Sequence, residues 1–315
     1  MRDKTTQIDR REFLKIGAAA SALAVGGCAT AERKPETASK PEMRYRPLGK
    51  TGLKVSEVSF GAHGLDNPAL LPAAIDAGIN TFATSGHYMD GREEEALGDA
   101  ISGIGSRRDE LVILTGNMER PGATKRGILD SIDTSLRRLR TDRLEIYYNS
   151  AVRTPLDSRV DALFEAFEEA KKAGKVLHLG LSGHSGGMQD CLNAAIEDGH
   201  YEVFFTKYDF ASYPDQDDIL DRAAKKGIGT IVFKTGAGNR EKEIKDLEAG
   251  GLSFRQATVK WALSNPVVAS VCVSFTNFDE IREYTAAVGA PVAAAETEML
   301  RRYAGEMHDR YCRFC

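Results

Sequence analysis

The chain has 315 residues, a formal net charge of -4 and a sequence pI near 6.0. That balance supplies no basic surface of the kind that draws a protein to nucleic acid, so nucleic acid is not an expected partner. Of five cysteines, Cys191 and Cys272 stand alone in apolar patterns and read as buried small hydrophobes.

The first element is an expected export signal over residues 1–28. Asp9-Arg10-Arg11-Glu12-Phe13-Leu14-Lys15 is a twin-arginine motif, followed by an Ala/Gly-rich run from Ile16 to Gly27. The run falls short of the roughly 20 apolar residues that span a bilayer; a buried helix is the competing reading. Val25-Gly26-Gly27-Cys28 has the form of a lipobox, which would place a lipid on Cys28. Ala29-Thr30-Ala31 offers a competing cleavage site that would release a soluble protein. The lipobox reading implies a periplasmic or extracytoplasmic protein, touched by the twin-arginine translocase in transit and held to a membrane only by its anchor. This route carries folded cargo and so suggests a cofactor inserted before export. Residues 29–42, polar and carrying Lys34-Pro35 and Lys40-Pro41, read as a disordered tether.

About 270 residues remain from Met43 onward, the usual size of one α/β barrel. Eight β-branched runs are strand candidates: 55–60, 79–83, 111–115, 144–148, 176–181, 202–207, 229–233 and 269–275. Helical patterns lie between them at 125–139, 159–173, 217–226 and 254–264; in the first, Ile132, Leu136 and Leu139 share a face. Strand–helix alternation predicts parallel strands joined by right-handed crossovers, and eight repeats predict closure.

Several fragments, in order, resemble the aldo-keto reductase superfamily over residues 43–290. Arg46–Ser56 is similar to the hairpin that plugs the barrel bottom in that family, and Asp76–Phe82 to the entry to its second strand. Ser135–Leu139 before Asp142 resembles its third helix. Gly174–Val176 with Gly180–Ser182, Lys207–Asp209 and Gly227–Gly229 resemble strands five, six and seven. The resemblance implies an α/β fold, a (β/α)8 TIM barrel with an N-terminal β-hairpin plug. It also implies that chemistry sits at the carboxyl ends of the strands. Residues 291–315 remain for a C-terminal helix and a Cys-x-x-Cys tail.

In the family, Asp, Tyr, Lys and His form a tetrad: Tyr protonates a carbonyl oxygen while a nicotinamide delivers hydride, and Lys lowers the Tyr pKa. The four slots here read Ala83, Tyr88, Gly116 and Ser150. Three of the four groups are replaced, and a lone phenol with a pKa near 10 is a poor acid–base group at neutral pH. His87, His184 and Lys234 are candidate replacements, with His63 and Lys207 also placed at the mouth. For each lysine the competing reading is a solvated loop residue or rim salt bridge, and for His184 a helix-entry residue. The histidines lack a compact metal-ligand spacing.

The resemblance also implies a site for NADP or NAD. Lys234, Thr235, Gly236 and Gly238 form a turn similar to the one that curls over the pyrophosphate. Ser182, Tyr208, Thr276 and Asn277 are further candidate cofactor contacts. The family's adenosine-phosphate Arg and final Asn are absent after strand eight. His308–Cys315 resembles the start of a ferredoxin-like tail, with Cys312 and Cys315 as partial iron–sulfur ligands. A 4Fe–4S cluster takes four thiolates, so these two cannot hold one alone.

The expectation is an exported oxidoreductase acting on a small-molecule carbonyl or alcohol, including sugars. The alternatives are a catalytically inactive ligand- or partner-binding barrel, and a non-redox sugar lyase or epimerase.

Overall fold

The computed structural model describes residues 42–211, 216–237, 248 and 251–310. The expected signal and tether with Cys28, the turn residue Gly238, and Cys312 and Cys315 lie outside the described residues.

A two-stranded antiparallel hairpin, β1 (Tyr45–Pro47) and β2 (Lys54–Ser56), opens the described chain. Eight parallel strands follow: β3 (Val58–Gly61), β4 (Thr81–Ala83), β5 (Val112–Asn117), β6 (Leu144–Asn149), β7 (Val176–Gly183), β8 (Val203–Lys207), β9 (Gly229–Phe233) and β10 (Val268–Val273). They pair in chain order, and β10 closes on β3 through Val271–Val58 and Val273–Phe60. Helices α1 (Leu70–Asp76), α2 (Arg92–Ser102), α3 (Lys125–Arg138), α4 (Asp161–Lys172), α5 (Met188–Asp198), α6 (Gln216–Lys226), α7 (Phe254–Leu263) and α8 (Phe278–Thr285) lie between or after the strands, and α9 (Ala294–Arg310) ends the described chain. The fold is a (β/α)8 barrel with an N-terminal hairpin.

Two apolar layers hold it together. The inner one fills the barrel with Leu114, Ile146, Val203 and Ile231, and the hairpin adds Leu48 and Val55 to the same cluster. The outer one packs helices on strands; Ile128, Ile132 and Leu136 form the buried face of α3, which Thr124 caps by accepting from the Gly127 N–H at 3.1 Å.

The run at 55–60 is two strands rather than one, divided at Glu57. Arg46 Nε donates to the buried Glu57 carboxylate at 2.7 Å, and the Gly289 N–H donates to its other oxygen at 3.1 Å. This pair fastens the hairpin to the barrel and breaks the run. Arg46 also donates to the carbonyls of Leu263 (3.0 Å) and Val268 (2.9 Å). At the hairpin tip the Lys50 N–H donates to the Gly227 carbonyl at 2.8 Å. A Cβ on Gly49, at φ +54°, would stand 2.4 Å from that same oxygen, so the seat requires glycine. The helical pattern at 159–173 is shortened in the structure, because Pro155–Ser158 forms a 3₁₀ turn and α4 begins at Asp161.

Inside the barrel, Gly116 of β5 faces Tyr148 of β6. A Cβ on Gly116 would lie 1.8 Å from the Tyr148 carbonyl oxygen and 2.9 Å from its ring. Tyr148 is buried in the inner cluster and meets Phe205 edge-on at 5.5 Å. Gly116→Lys therefore does not reinstate the family's lysine. The overpacking should destabilise the chain by at least about 1–3 kcal/mol, read as a lowered urea midpoint. An unchanged midpoint would show that the two strands have room to spare.

Candidate active site

At the carboxyl ends of the strands lies a cavity of about 450 Å³. Tyr148, Phe205, Phe233 and Cys272 line its inner part, while His87, Tyr88, His184 and Lys234 bring polar groups to it. Strand ends place them there: His87 and Tyr88 follow β4, His184 follows β7 and Lys234 follows β9. Ser182, Thr235 and Gly236 also line the cavity, as do Ala83 and Ser150 from the tetrad slots. Gly116 does not; its place is taken by Tyr148, whose hydroxyl donates to the Thr84 carbonyl.

Tyr88 stands between two imidazoles, with its ring centroid 4.6 Å from that of His63 and 4.7 Å from that of His87. Burial pushes its phenol up to about 12, aided by Cys272 and Glu93 and opposed by the neighbouring Tyr148 hydroxyl. Among the described residues no cation enters this balance, so Tyr88 keeps its proton at neutral pH. His87 is shifted the other way, below the usual imidazole value, by burial and then by its electrostatic interactions with His63 and Arg120; Glu94 opposes this. His184 is lowered by burial, then by Lys234, and Lys234 is lowered by burial and by Lys207.

The loop bearing Tyr88 is strained and clamped. Met89 (φ 48°) and Asp90 (φ 56°) adopt left-handed backbone ahead of Gly91 (φ 87°). The Arg138 guanidinium, reaching from α3, donates to the carbonyls of Gly86 (3.3 Å) and Asp90 (3.2 Å), one on each side of Tyr88. Glu94 holds that guanidinium at 3.2 Å and accepts from the Thr115 hydroxyl at 2.6 Å, with its own side chain wholly buried. A Cβ on Gly91 would strike the guanidinium carbon at 2.1 Å. One arginine thus ties α3, α2 and β5 to the loop after β4.

Four other expected residues, Tyr208, Thr276, Asn277 and Lys207, do not line the cavity. Tyr208 is buried in the outer layer, stacked on Trp261 at 4.8 Å, with its hydroxyl bonded to Asp217. The Thr276 N–H and hydroxyl donate to Glu280 at 2.6 and 3.0 Å, and Asn277 caps α8 by accepting from the Glu280 N–H. Lys207 pairs with the buried Asp209 at 3.1 Å. Among the described residues no group of three or more His, Cys, Asp or Glu side chains is placed to hold a metal ion.

Sequence reading missed Arg255, at the start of α7, which lines the cavity while pairing with Glu280 (3.1 Å) and Glu283 (3.2 Å). It also missed Ser85, Tyr148 and Arg138. Only Tyr148 left a signal: the space beside a glycine inside a barrel must be filled, and Tyr148 is the bulky residue paired with Gly116 across β5 and β6. The donors at the outer cavity, Lys234, Arg255, His184 and Thr235, suit an anionic ligand. Lys234 and Ala237, both left-handed, bend the turn after β9 around this rim. This set fits the pyrophosphate part of a dinucleotide.

Residues 66–251 match the model of the Aldo/keto reductase family. A probable voltage-gated potassium channel subunit beta of Oryza sativa subsp. japonica is 34% identical over 305 residues, covering 76% of this chain and 90% of that protein. An L-galactose dehydrogenase of Arabidopsis thaliana is 26% identical over 289 residues, covering 78% of this chain and 88% of its own length. The solved holo form of aldo-keto reductase AKR11C1 from Bacillus halodurans superposes with a TM-score of 0.70 at 23% identity, over 82% of this chain and 96% of its own, a likeness of fold. Members of this family are NAD(P)-dependent oxidoreductases. With its closed barrel, hairpin plug and a retained tyrosine at the mouth, the chain belongs to the aldo/keto reductase family.

Proposed function

We propose that the protein is an NAD(P)-dependent oxidoreductase interconverting an alcohol and a carbonyl on a small molecule, with sugars as the substrate class. The observation that carries this reading is Tyr88 at the cavity, next to a rim rich in cationic donors. The names of two relatives, the L-galactose dehydrogenase and an L-glyceraldehyde 3-phosphate reductase of Escherichia coli (27% identical over 61% of each chain), support the sugar class.

When bound, the dinucleotide supplies or accepts hydride. Lys234, Thr235 and Gly236 hold its pyrophosphate, and Arg255 and Ser182 offer further polar contacts. Phe205 and Phe233 exclude water from the inner cavity, which strengthens hydrogen bonds made there. Tyr88, protonated at working pH, donates a hydrogen bond to the substrate oxygen and orients it without cycling a proton. That division explains how a tyrosine without its lysine still serves: it binds developing negative charge as a fixed donor.

Calorimetry with NADH, NADPH and both oxidised forms tests the reading. Binding of at least one is expected, and Lys234→Met should weaken it by roughly ten- to a hundredfold, the effect of losing a charge-assisted hydrogen bond of about 1.5–3 kcal/mol. No binding at millimolar concentration would leave a ligand-binding barrel or a non-redox enzyme.

Export belongs to the same proposal, with Arg10 and Arg11 as the translocase signal and Cys28 as the lipid anchor. Replacing both arginines by lysine keeps the charge but loses the guanidinium fork. The periplasmic fraction should fall to background, and Cys28→Ala should move exported protein from membrane to soluble fraction. Normal periplasmic yield in the double variant would defeat the twin-arginine reading.

A further inference from the structure

Beside Tyr88, two short contacts fix where one proton lies. Ser85 Oγ is 2.7 Å from the Gly116 carbonyl oxygen and 2.7 Å from His87 Nδ1. Two oxygens at 2.7 Å repel unless a proton lies between them, and a carbonyl has none to give. The single Ser85 hydroxyl proton is therefore spent on Gly116, although that carbonyl also accepts the Gly86 N–H at 3.0 Å. Ser85 must then accept from His87, so Nδ1 carries the imidazole proton and Nε2 carries the lone pair. Ser85 is fully buried, while the half-buried His87 ring borders the cavity; Nε2 has no protein hydrogen-bond partner among the described residues.

From this geometry we infer that His87 Nε2 is the base that removes the substrate hydroxyl proton, with Ser85 as the positioning residue that fixes its tautomer. The assignment rests on the oxidoreductase reading of the site. In alcohol oxidation the substrate O–H bond breaks and its proton passes to Nε2, giving an imidazolium. The carbon–hydrogen bond breaks with its electron pair going to the oxidised dinucleotide, and the C=O bond forms. The imidazolium then releases its proton to solvent. Tyr88 stays protonated as the donor to the same oxygen, so the two neighbours divide the work as base and fixed acid.

The charged and titratable groups around the ring come from four elements: His63 after β3, Tyr88 after β4, Arg120 after β5 and Glu94 on α2. Burial, the largest influence, acts with Arg120 against Glu94 and lowers His87, so the ring is neutral at pH 7 and able to accept a proton. A neutral base favours alcohol oxidation over carbonyl reduction at that pH. Oxidation should fall on the acid side as His87 protonates, below the ordinary imidazole value.

Long-range nitrogen–proton NMR on the full chain with labelled histidine reads the tautomer directly, without cofactor or substrate. The expected result is a neutral His87 protonated at Nδ1 at pH 7, with the preference lost in Ser85→Ala. An Nε2–H tautomer, an imidazolium at pH 7, or a tautomer unmoved by Ser85→Ala would overturn the assignment. The second arm is the pH profile of kcat/KM for the alcohol oxidised fastest in a sugar-alcohol screen with NAD and NADP. Its acid limb should coincide with the NMR pKa of His87 and move with it in Ser85→Ala. His87→Asn should remove the limb and lower kcat by about 10²–10⁴-fold; a limb that persists there would also overturn it. Dinucleotide binding, measured separately, distinguishes failure of this base from failure of the oxidoreductase reading.

Discussion

The mouth of this barrel is organised by the contact between Gly116 and Tyr148. With no side chain at Gly116, Tyr148 occupies the inner barrel and sends its hydroxyl to the Thr84 carbonyl. That phenol also lines the cavity beside Tyr88. The Gly116 carbonyl, in turn, takes the Ser85 proton. One glycine is thus coupled to a filled core and to the hydrogen bond that fixes Ser85 beside His87.

The second constraint is the wholly buried Glu94. An unpaired carboxylate there would be strongly destabilising, and the Thr115 hydroxyl and Arg138 guanidinium together satisfy it. Arg138 is held in turn, and its remaining donors fix the two carbonyls that flank Tyr88. Left-handed backbone at a non-glycine residue costs about 1–2 kcal/mol. Met89 and Asp90 bear that strain together, which the clamp offsets. The loop geometry is therefore set before any ligand arrives, and binding need not order it.

Much of this was legible in the sequence. Seven of the eight barrel strands begin and end within two residues of the β-branched runs, because a strand buried on both faces carries a continuous apolar signal. The run at 55–60 misled because Val55 on one side of Glu57 and Val58 and Phe60 on the other read as one strand, whereas the chain passes there from hairpin to barrel and Arg46 holds the Glu57 carboxylate. At the mouth, Tyr88, His87, His184 and Lys234 do border one cavity, since strand ends converge there whatever the side chains. Tyr208, Thr276 and Asn277 hold neighbouring elements together instead, a choice set by partners such as Asp217 and Glu280 that lie on other elements or a turn away. Ser85 and Arg138 left no mark because their importance depends on carbonyl oxygens, which every residue has.

The hairpin's attachments have a consequence for the order in which the chain completes itself. Arg46 holds the carbonyls of Leu263 and Val268, 217 and 222 positions away, and the tip of the hairpin rests on Gly227. A seat built from residues 227–268 does not exist until most of the chain has left the ribosome. Closing loops of that length is slow relative to local helix formation. The hairpin is thus tied to a late event, because its seat is complete only when residues 227–268 are in place.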